Sequence, residues 1–239
     1  MKKVLILSGP THEYFDPVRF IGNASSGKMG KALAEEALKR GMDVEFISGP
    51  VPEGNLPQCG SGIPAASEAA GREARLSERK QRPEGAATRF HLKIQKVTSA
   101  EEMLAAAREK FGFADLIIFA AAVADFQPLE KSAEKFPKTG TNITIELKPT
   151  PDIAATLCAN KRKDQVAIGF ALQTHDGETK AREKLVSKNL DGIILNTPVT
   201  LGAESGLFTW IDNHSMESWG SLIKVECAKR IFIRLESRL

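Results

Sequence analysis

Val4 to Leu7 is a compact apolar run that stops at Ser8-Gly9-Pro10, as a buried parallel strand does where it meets a ligand-side loop. From Lys28 to Arg40, Met29, Leu33, Ala37 and Leu38 recur at helical spacing, Lys39 and Arg40 fall in the last turn, and Gly41 supplies the stop. Val44 to Ser48 is a second strand. Strand, helix, strand is a βαβ opening, and its continuation along the chain predicts an α/β fold with a doubly wound, mostly parallel sheet.

Leu92 to Val97 alternates like a strand exposed on one side, and Ser99-Ala100-Glu101-Glu102 opens a helix through Met103, Leu104, Ala107 and Phe111 with a capping box. Asp115 to Asp125 is the most apolar run. A buried strand there ends near Ala120 and leaves small residues and one carboxylate at the sheet's C-terminal edge, where open α/β sheets bind ligands. Residues 126–148 read as a flap, with Lys131, Lys135 and Lys138 among prolines, leading into an alternating strand from Asn142 to Lys148. Thr150 is the expected N-cap of a short helix with Pro151 at its first position. Gln165 to Ala171 and Asp191 to Asn196 are further strands around a helix from Gly177 to Asn189, and the remainder reads as a hairpin or strand and a terminal helix. At about 50–90 no period is sustained, so an insertion, disordered or loosely helical, is expected within one domain spanning 1–239.

The formal net charge is +3, and the stretch from Arg72 to Arg89 alone carries an excess of three positive charges. The rest is near neutral, so the basic balance does not predict nucleic-acid binding. Cys59, Cys158 and Cys227 form no CxxC or His/Cys cluster, which fits a reduced compartment and not a structural zinc site. The first apolar run is about five residues, short of a signal peptide's roughly seven, and no stretch approaches the ~18 of a membrane span. A cytoplasmic protein without membrane association is expected.

Between the first strand and helix lies Asp16-Pro17-Val18-Arg19-Phe20-Ile21-Gly22-Asn23-Ala24-Ser25-Ser26-Gly27-Lys28-Met29-Gly30. Its glycines let backbone approach a ligand, and the next helix start offers free N–H groups, so Ser25, Ser26, Gly27 and Lys28 read as an anion loop. Gly22 to Lys28 satisfies G-x-x-x-x-G-K, but Met29 stands where a P-loop needs Ser or Thr for Mg²⁺, and Pro10 and Pro17 separate the loop from its strand. No G-x-G-x-x-G follows a strand, which argues against NAD or flavin. Asp125 is a ligand contact or the cap of the segment after its strand. Lys180, Lys184 and Lys188 share a helix face that is either solvated or a phosphate clamp. His12, His91, His175 and His214 lack metal-ligand spacing, and Cys158 reads as core. From the residues alone the chain is an α/β nucleotide or phosphate binder, with no reaction specified.

Taken together, Gly9-Pro10-Thr11-His12-Glu13, Asp16 to Ile21 with Asn23, Ser25 to Gly30, Ala120 to Phe126, Glu134-Lys135, Pro151-Asp152-Ile153, Gly169-Phe170-Ala171, Lys184 and Lys188 resemble the phosphopantothenate–cysteine ligases, here without the flavin-dependent decarboxylase half of the bifunctional form. The resemblance covers nearly the whole chain except the insertion and the last thirty or so residues. It implies a Rossmann-like fold with a flap and dimerisation region, a homodimer, and a two-step ligation in coenzyme A biosynthesis. The carboxylate of 4′-phosphopantothenate would attack the α-phosphate of CTP, or of ATP, with Mg²⁺, and L-cysteine would then displace the nucleotide.

By the same resemblance, Asn23, Lys135 and Arg19 would be the catalytic residues. Asn23 would orient the acyl-nucleotide, Lys135 would stabilise the triphosphate in the first step, and Arg19 would bind an anionic group. Ala120, Ala121, Ala122, Asp125, Lys135, Pro151, Asp152, Ile153, Ala154, Phe170, Lys184 and Lys188 would form the nucleotide site. No metal ligand is assigned. The flap departs from the family's Lys-Ile-Lys-Lys as Lys135-Phe136-Pro137-Lys138, and Ala171-Leu172-Gln173-Thr174 replaces Ala-Ala-Glu-Thr. A non-catalytic nucleotide-binding module and a P-loop ATPase are the alternative readings.

Overall fold

The structure is a computed structural model that describes residues 2–58, 91–138, 140, 142–173, 176–200 and 202–238. Cys59, residues 59–90 of the expected insertion, Thr174 and His175 lie outside them. In chain order the elements are β1 (Lys3–Ser8), β2 (His12–Tyr14), β3 (Phe20–Gly22), α1 (Lys28–Lys39), β4 (Asp43–Ser48), β5 (Leu92–Lys96), α2 (Ala100–Phe111), β6 (Leu116–Phe119), β7 (Phe126–Pro128), β8 (Leu147–Pro149), α3 (Ile153–Cys158), β9 (Val166–Leu172), α4 (Gly177–Ser187), β10 (Gly192–Asn196), β11 (Ser205–Ile211), β12 (Met216–Ile223) and α5 (Lys224–Leu235).

Eight strands form one sheet in the order β12-β11-β10-β9-β6-β1-β4-β5. The six from β10 to β5 pair in parallel, and β11 and β12 extend the edge antiparallel. The chain runs from β1 to β4 and β5 on one side, then returns to β6, β9 and β10 on the other. The order therefore reverses beside β1, which opens a crevice at the strands' C-terminal ends. Successive β1 residues alternate between two cores: Val4 and Ile6 pack with α1 and α5, Leu5 and Leu7 with α2, α3 and α4. Full burial on both faces explains why this strand is a continuous apolar run rather than an alternation.

Five local expectations change. Residues 50–58, assigned to the insertion, are folded: a 3₁₀ turn at Glu53–Asn55 packs on the loop before α1, where Asn55 Nδ2 donates to Ser26 O at 2.9 Å and Leu56 is buried. The alternating stretch 142–148 yields only β8, because its partner β7 is three residues long and ends at Pro128. The cap of α3 is Asp152, whose Oδ1 accepts from Ala155 N at 3.0 Å, while the Thr150 hydroxyl donates instead to Ala124 O. Ser99 caps α2 as expected, but the Glu102 carboxylate reaches Thr98 N rather than Ser99 N. The hairpin β2–β3 lies inside what reads as a loop, since three-residue strands carry no usable period.

Candidate functional site

A cleft of about 600 Å³ opens at the C-terminal ends of β1, β6, β9 and β10. The loop from Asn23 to Gly30 forms one wall, the run from Phe119 to Asp125 the middle, and Thr150 to Ala154 with Phe170, Lys184 and Lys188 the other wall. Every expected nucleotide-site residue except Lys135 is therefore brought to one place. Gly27 sets the first wall: it is the N-cap of α1 at φ 75°, a left-handed conformation costly for any residue with a Cβ. At Gly30 a Cβ would lie 2.0 Å from Ser8 Oγ, so only glycine lets α1 start this close to the end of β1. Met29, in the first turn of α1, packs on the core, which leaves no hydroxyl at the P-loop's metal position.

Asn23 is fixed across the cleft mouth. Its Nδ2 donates to Val123 O at 2.8 Å and to Ala122 O at 3.4 Å, leaving the side-chain oxygen as the free end of an oriented amide. Opposite it, Lys188 pairs with Asp152 at 2.9 Å. Burial alone would raise the Asp152 carboxyl, but the Ala155 N–H and Lys188 outweigh it and hold the group below its usual range. Lys184 is shifted down, first by burial and then by Lys188, with Asp125 and Asp152 opposing. Lys188 thus has a close partner in Asp152, whereas Lys184 is bonded by no described carboxylate and feels Asp125 and Asp152 only at longer range.

Arg19 and Lys135 do not line the cleft. Lys135 is exposed on the flap. Arg19 lies at the flap's base, where it donates to Asp16 Oδ2 at 3.2 Å and to Phe136 O at 3.2 Å. The buried Asp16 carboxylate also accepts from Val18 N at 2.8 Å, Arg19 N at 2.7 Å and Phe136 N at 3.3 Å. Burial would raise this carboxyl, but those N–H bonds prevail and lower it. Asp16 and Arg19 together clamp the residue next to Lys135.

Cleft residues outside the expected set include Asn196 at the end of β10, Thr200 in the turn after it, and Lys224 at the start of α5. Lys28 lines the same end and is engaged by Gly202 O at 3.2 Å and by the Glu204 carboxylate. A lysine opening an amphipathic helix looks solvated in sequence, and nothing in its neighbours signals the cleft. Cys158, by contrast, is buried in the core with its thiol pushed up to about 11 by burial, which suits no nucleophile. Among the described residues no group of three His, Cys, Asp or Glu forms a metal cage, and no helix is long and apolar enough to cross a membrane.

A cysteine/cysteine sulfinic acid decarboxylase from an unknown prokaryotic organism is 40% identical over 205 residues, 86% of this chain and 48% of that protein. The coenzyme A biosynthesis bifunctional protein CoaBC of Bacillus subtilis is 39% identical over 222 residues, covering 90% of this chain and 47% of its own length. The chain spans about half the length of these relatives. A crystal structure of the C-terminal domain of a CoaBC protein matches with TM-score 0.71 and 31% identity over 99% of this chain and 94% of that one. The family described as the DNA/pantothenate metabolism flavoprotein C-terminal domain matches at residues 1–59 and 58–239. The fold is thus shared along the chain, and the chain belongs to that family.

Proposed function

We propose that the cleft joins L-cysteine to 4′-phosphopantothenate in a reaction driven by a nucleoside triphosphate, as a phosphopantothenate–cysteine ligase of coenzyme A biosynthesis. The observation that carries this reading is the cleft itself: an amide anchored over small residues at the sheet edge faces two partly buried lysines across a space of about 600 Å³. That arrangement suits a substrate-on-substrate reaction, in which the protein orients and screens charge and forms no bond of its own.

In the first half, a phosphopantothenate carboxylate oxygen attacks the α-phosphorus. The new O–P bond forms as the α–β bridging bond breaks, and pyrophosphate leaves with the electron pair. Lys184 and Lys188 hold the nucleotide, Ala120 to Ala122 admit it closely, and Lys135 is carried in by the flap to the developing charge. In the second half, the cysteine amine attacks the acyl carbon, the C–N bond forms, nucleoside monophosphate leaves and the amine gives up a proton. The Asn23 amide orients the acyl group for this attack.

The divalent ion implied by such chemistry, Mg²⁺, has a fitting donor in Asp125, an exposed carboxylate on the cleft that is bonded by no described side chain. One carboxylate plus substrate phosphates is a usual setting for Mg²⁺, and the ion would neutralise phosphate charge. Val18, Phe20, Phe126, Leu129 and Leu147 are exposed on the adjoining β2–β3 and β7–β8 units, which supports a homodimer formed through this region with Arg19 near the interface. A cytoplasmic location accords with these substrates.

The test is pyrophosphate release with phosphopantothenate, cysteine and Mg²⁺, with CTP and ATP in separate tubes. Release dependent on phosphopantothenate with either nucleotide supports the reading and reports the preference. No release with both would sink it.

A further inference from the structure

No residue of the run Gly9-Pro10-Thr11-His12-Glu13 lines the cleft. Thr11, between β1 and β2, is fully buried. Its Oγ1 accepts from Ala124 N at 3.0 Å. That N–H belongs to the same peptide unit as Val123 O, the oxygen that accepts from Asn23 Nδ2 at 2.8 Å. The described peptides are trans, so this N–H and this C=O point in opposite directions from one rigid plane. A chain of hydrogen bonds therefore runs from the Asn23 amide through the Val123–Ala124 peptide to the Thr11 hydroxyl, and each member polarises the next.

Thr11 also meets Asn23 from the other side. The pairing of His12 with Gly22 brings residue 11 against the residue before Asn23, and a Cβ at Gly22 would lie 2.6 Å from Thr11 O. The backbone on which Asn23 is mounted and the oxygen on which its side chain rests are thus both referenced to one buried residue. The neighbouring peptides are held by other groups. Ala122 N donates to Gly9 O at 2.9 Å, Thr150 N donates to Asp125 O at 3.0 Å, and the Thr150 hydroxyl donates to Ala124 O. Valine would fill nearly the same volume as Thr11, so what the hydroxyl adds is a fixed acceptor for one peptide plane.

Resting on the ligase reading for the step concerned, we propose that Thr11 is a positioning residue for the attack of cysteine: its hydroxyl fixes the plane of the Val123–Ala124 peptide, and through it the Asn23 amide that orients the acyl group. Thr11 itself touches no substrate. Only the nitrogen end of the Asn23 amide can donate to Val123 O, so that carbonyl decides which end of the amide faces the cleft. With the plane released, the carbonyl would turn away and the amide would present either end to the acyl group, a loss in rate rather than in affinity. The first half-reaction draws on Lys184, Lys188 and Lys135, and none of them bonds to Thr11 or to the peptide it holds.

The experiment compares wild type, Thr11→Val, Thr11→Ser, Asn23→Ala and the double variant Thr11→Val with Asn23→Ala, and follows pyrophosphate formation and consumption of the acyl-nucleotide by cysteine separately. Thr11→Val should slow the cysteine step about tenfold through kcat, with the KM for cysteine unchanged and pyrophosphate formation altered less than about twofold. Thr11→Ser, which keeps the oxygen, should recover the rate to within about threefold, and on the Asn23→Ala background Thr11→Val should cost nothing further. Equal losses in both halves, no recovery in Thr11→Ser, or the same loss on the Asn23→Ala background overturns the proposal. If Thr11→Val melts below the assay temperature, Thr11→Cys, whose sulfur is a weaker acceptor, decides by the same comparison. NMR of the Asn23 side-chain amide gives a readout free of turnover: its signals should shift in Thr11→Val and return in Thr11→Ser, and signals indifferent to residue 11 overturn the proposal. An Asn23 amide that follows Thr11 in a chain without pyrophosphate release would keep the positioning while removing the ligase reading.

Discussion

The cleft's sheet side and its flap side are held in different ways. Asn23, Lys188 and Lys224 are each tied to the frame by bonds of the folded chain, and they stand after a strand end, at the end of α4 and at the start of α5. Lys135 is exposed and outside the cleft, and its neighbours rather than its own side chain are held, Phe136 through Asp16 and Arg19 and Glu134 through Ser132. The first side is organised before a ligand arrives, whereas on the proposed mechanism the second would bring its charge by moving a segment anchored at its base. Binding and the second half-reaction should therefore depend on the sheet side, and the first half-reaction on both.

The largest expected effect is at Asn23. Asn23→Asp replaces an oriented amide with a carboxylate that repels both Val123 O and the acyl-nucleotide, and should slow the cysteine step about 100-fold or more while pyrophosphate still forms. Rapid-quench measurement of the two halves separates them, and an unchanged cysteine step removes the role of Asn23. Next, Lys135→Gln should slow acyl-nucleotide formation about 100-fold with the melting temperature unchanged. If it slows only the cysteine step, the two sides have been assigned the wrong way round.

A smaller effect is expected of Asp16→Asn, which keeps the shape but removes the charge that pairs with Arg19. It should lower the first half-reaction about tenfold, without changing the KM for cysteine, because only the flap loses its anchor. A loss shared equally by both halves would mean that Asp16 supports the whole site.

The mildest effect concerns pH. Burial and Lys188 lower Lys184 from the ordinary 10.5, so its charge is present well below the lowered value and is lost as pH rises through it. Triphosphate KM should then rise at a pH below that of an ordinary lysine. Lys184→Arg, which stays protonated, should flatten that limb, and an identical pH profile in the variant contradicts the assignment.

Much of the sheet side was legible because strands and helices with strong periods deliver it. β1, α1, β6 and β10 emerge directly from apolar runs and helical spacing, and the residues at their ends, with those around α3 and α4, line the cleft. The residues alone could not decide whether Lys184 and Lys188 were solvated, since a stripe on a helix looks the same in both cases. The flap side was less legible. Alternation from Asn142 to Lys148 predicted a strand that lacks a partner long enough to pair with it, and Thr150 and Asp152 are both good caps, with Pro151 between them pointing to the wrong one. Lys224 escaped notice because its approach to Lys28 depends on α5 returning to α1 after almost two hundred residues of chain, a contact that no local pattern encodes.

The central claim is that one cleft first makes an acyl-nucleotide and then transfers its acyl group to cysteine. It is tested most directly by mixing the protein with phosphopantothenate, Mg²⁺ and the preferred triphosphate, leaving out cysteine, and quenching within one turnover for mass spectrometry. The account predicts about one acyl-nucleotide and one pyrophosphate per site, with the acyl-nucleotide consumed on adding cysteine. Nucleoside diphosphate with orthophosphate, or no acyl-nucleotide at any time, would contradict it.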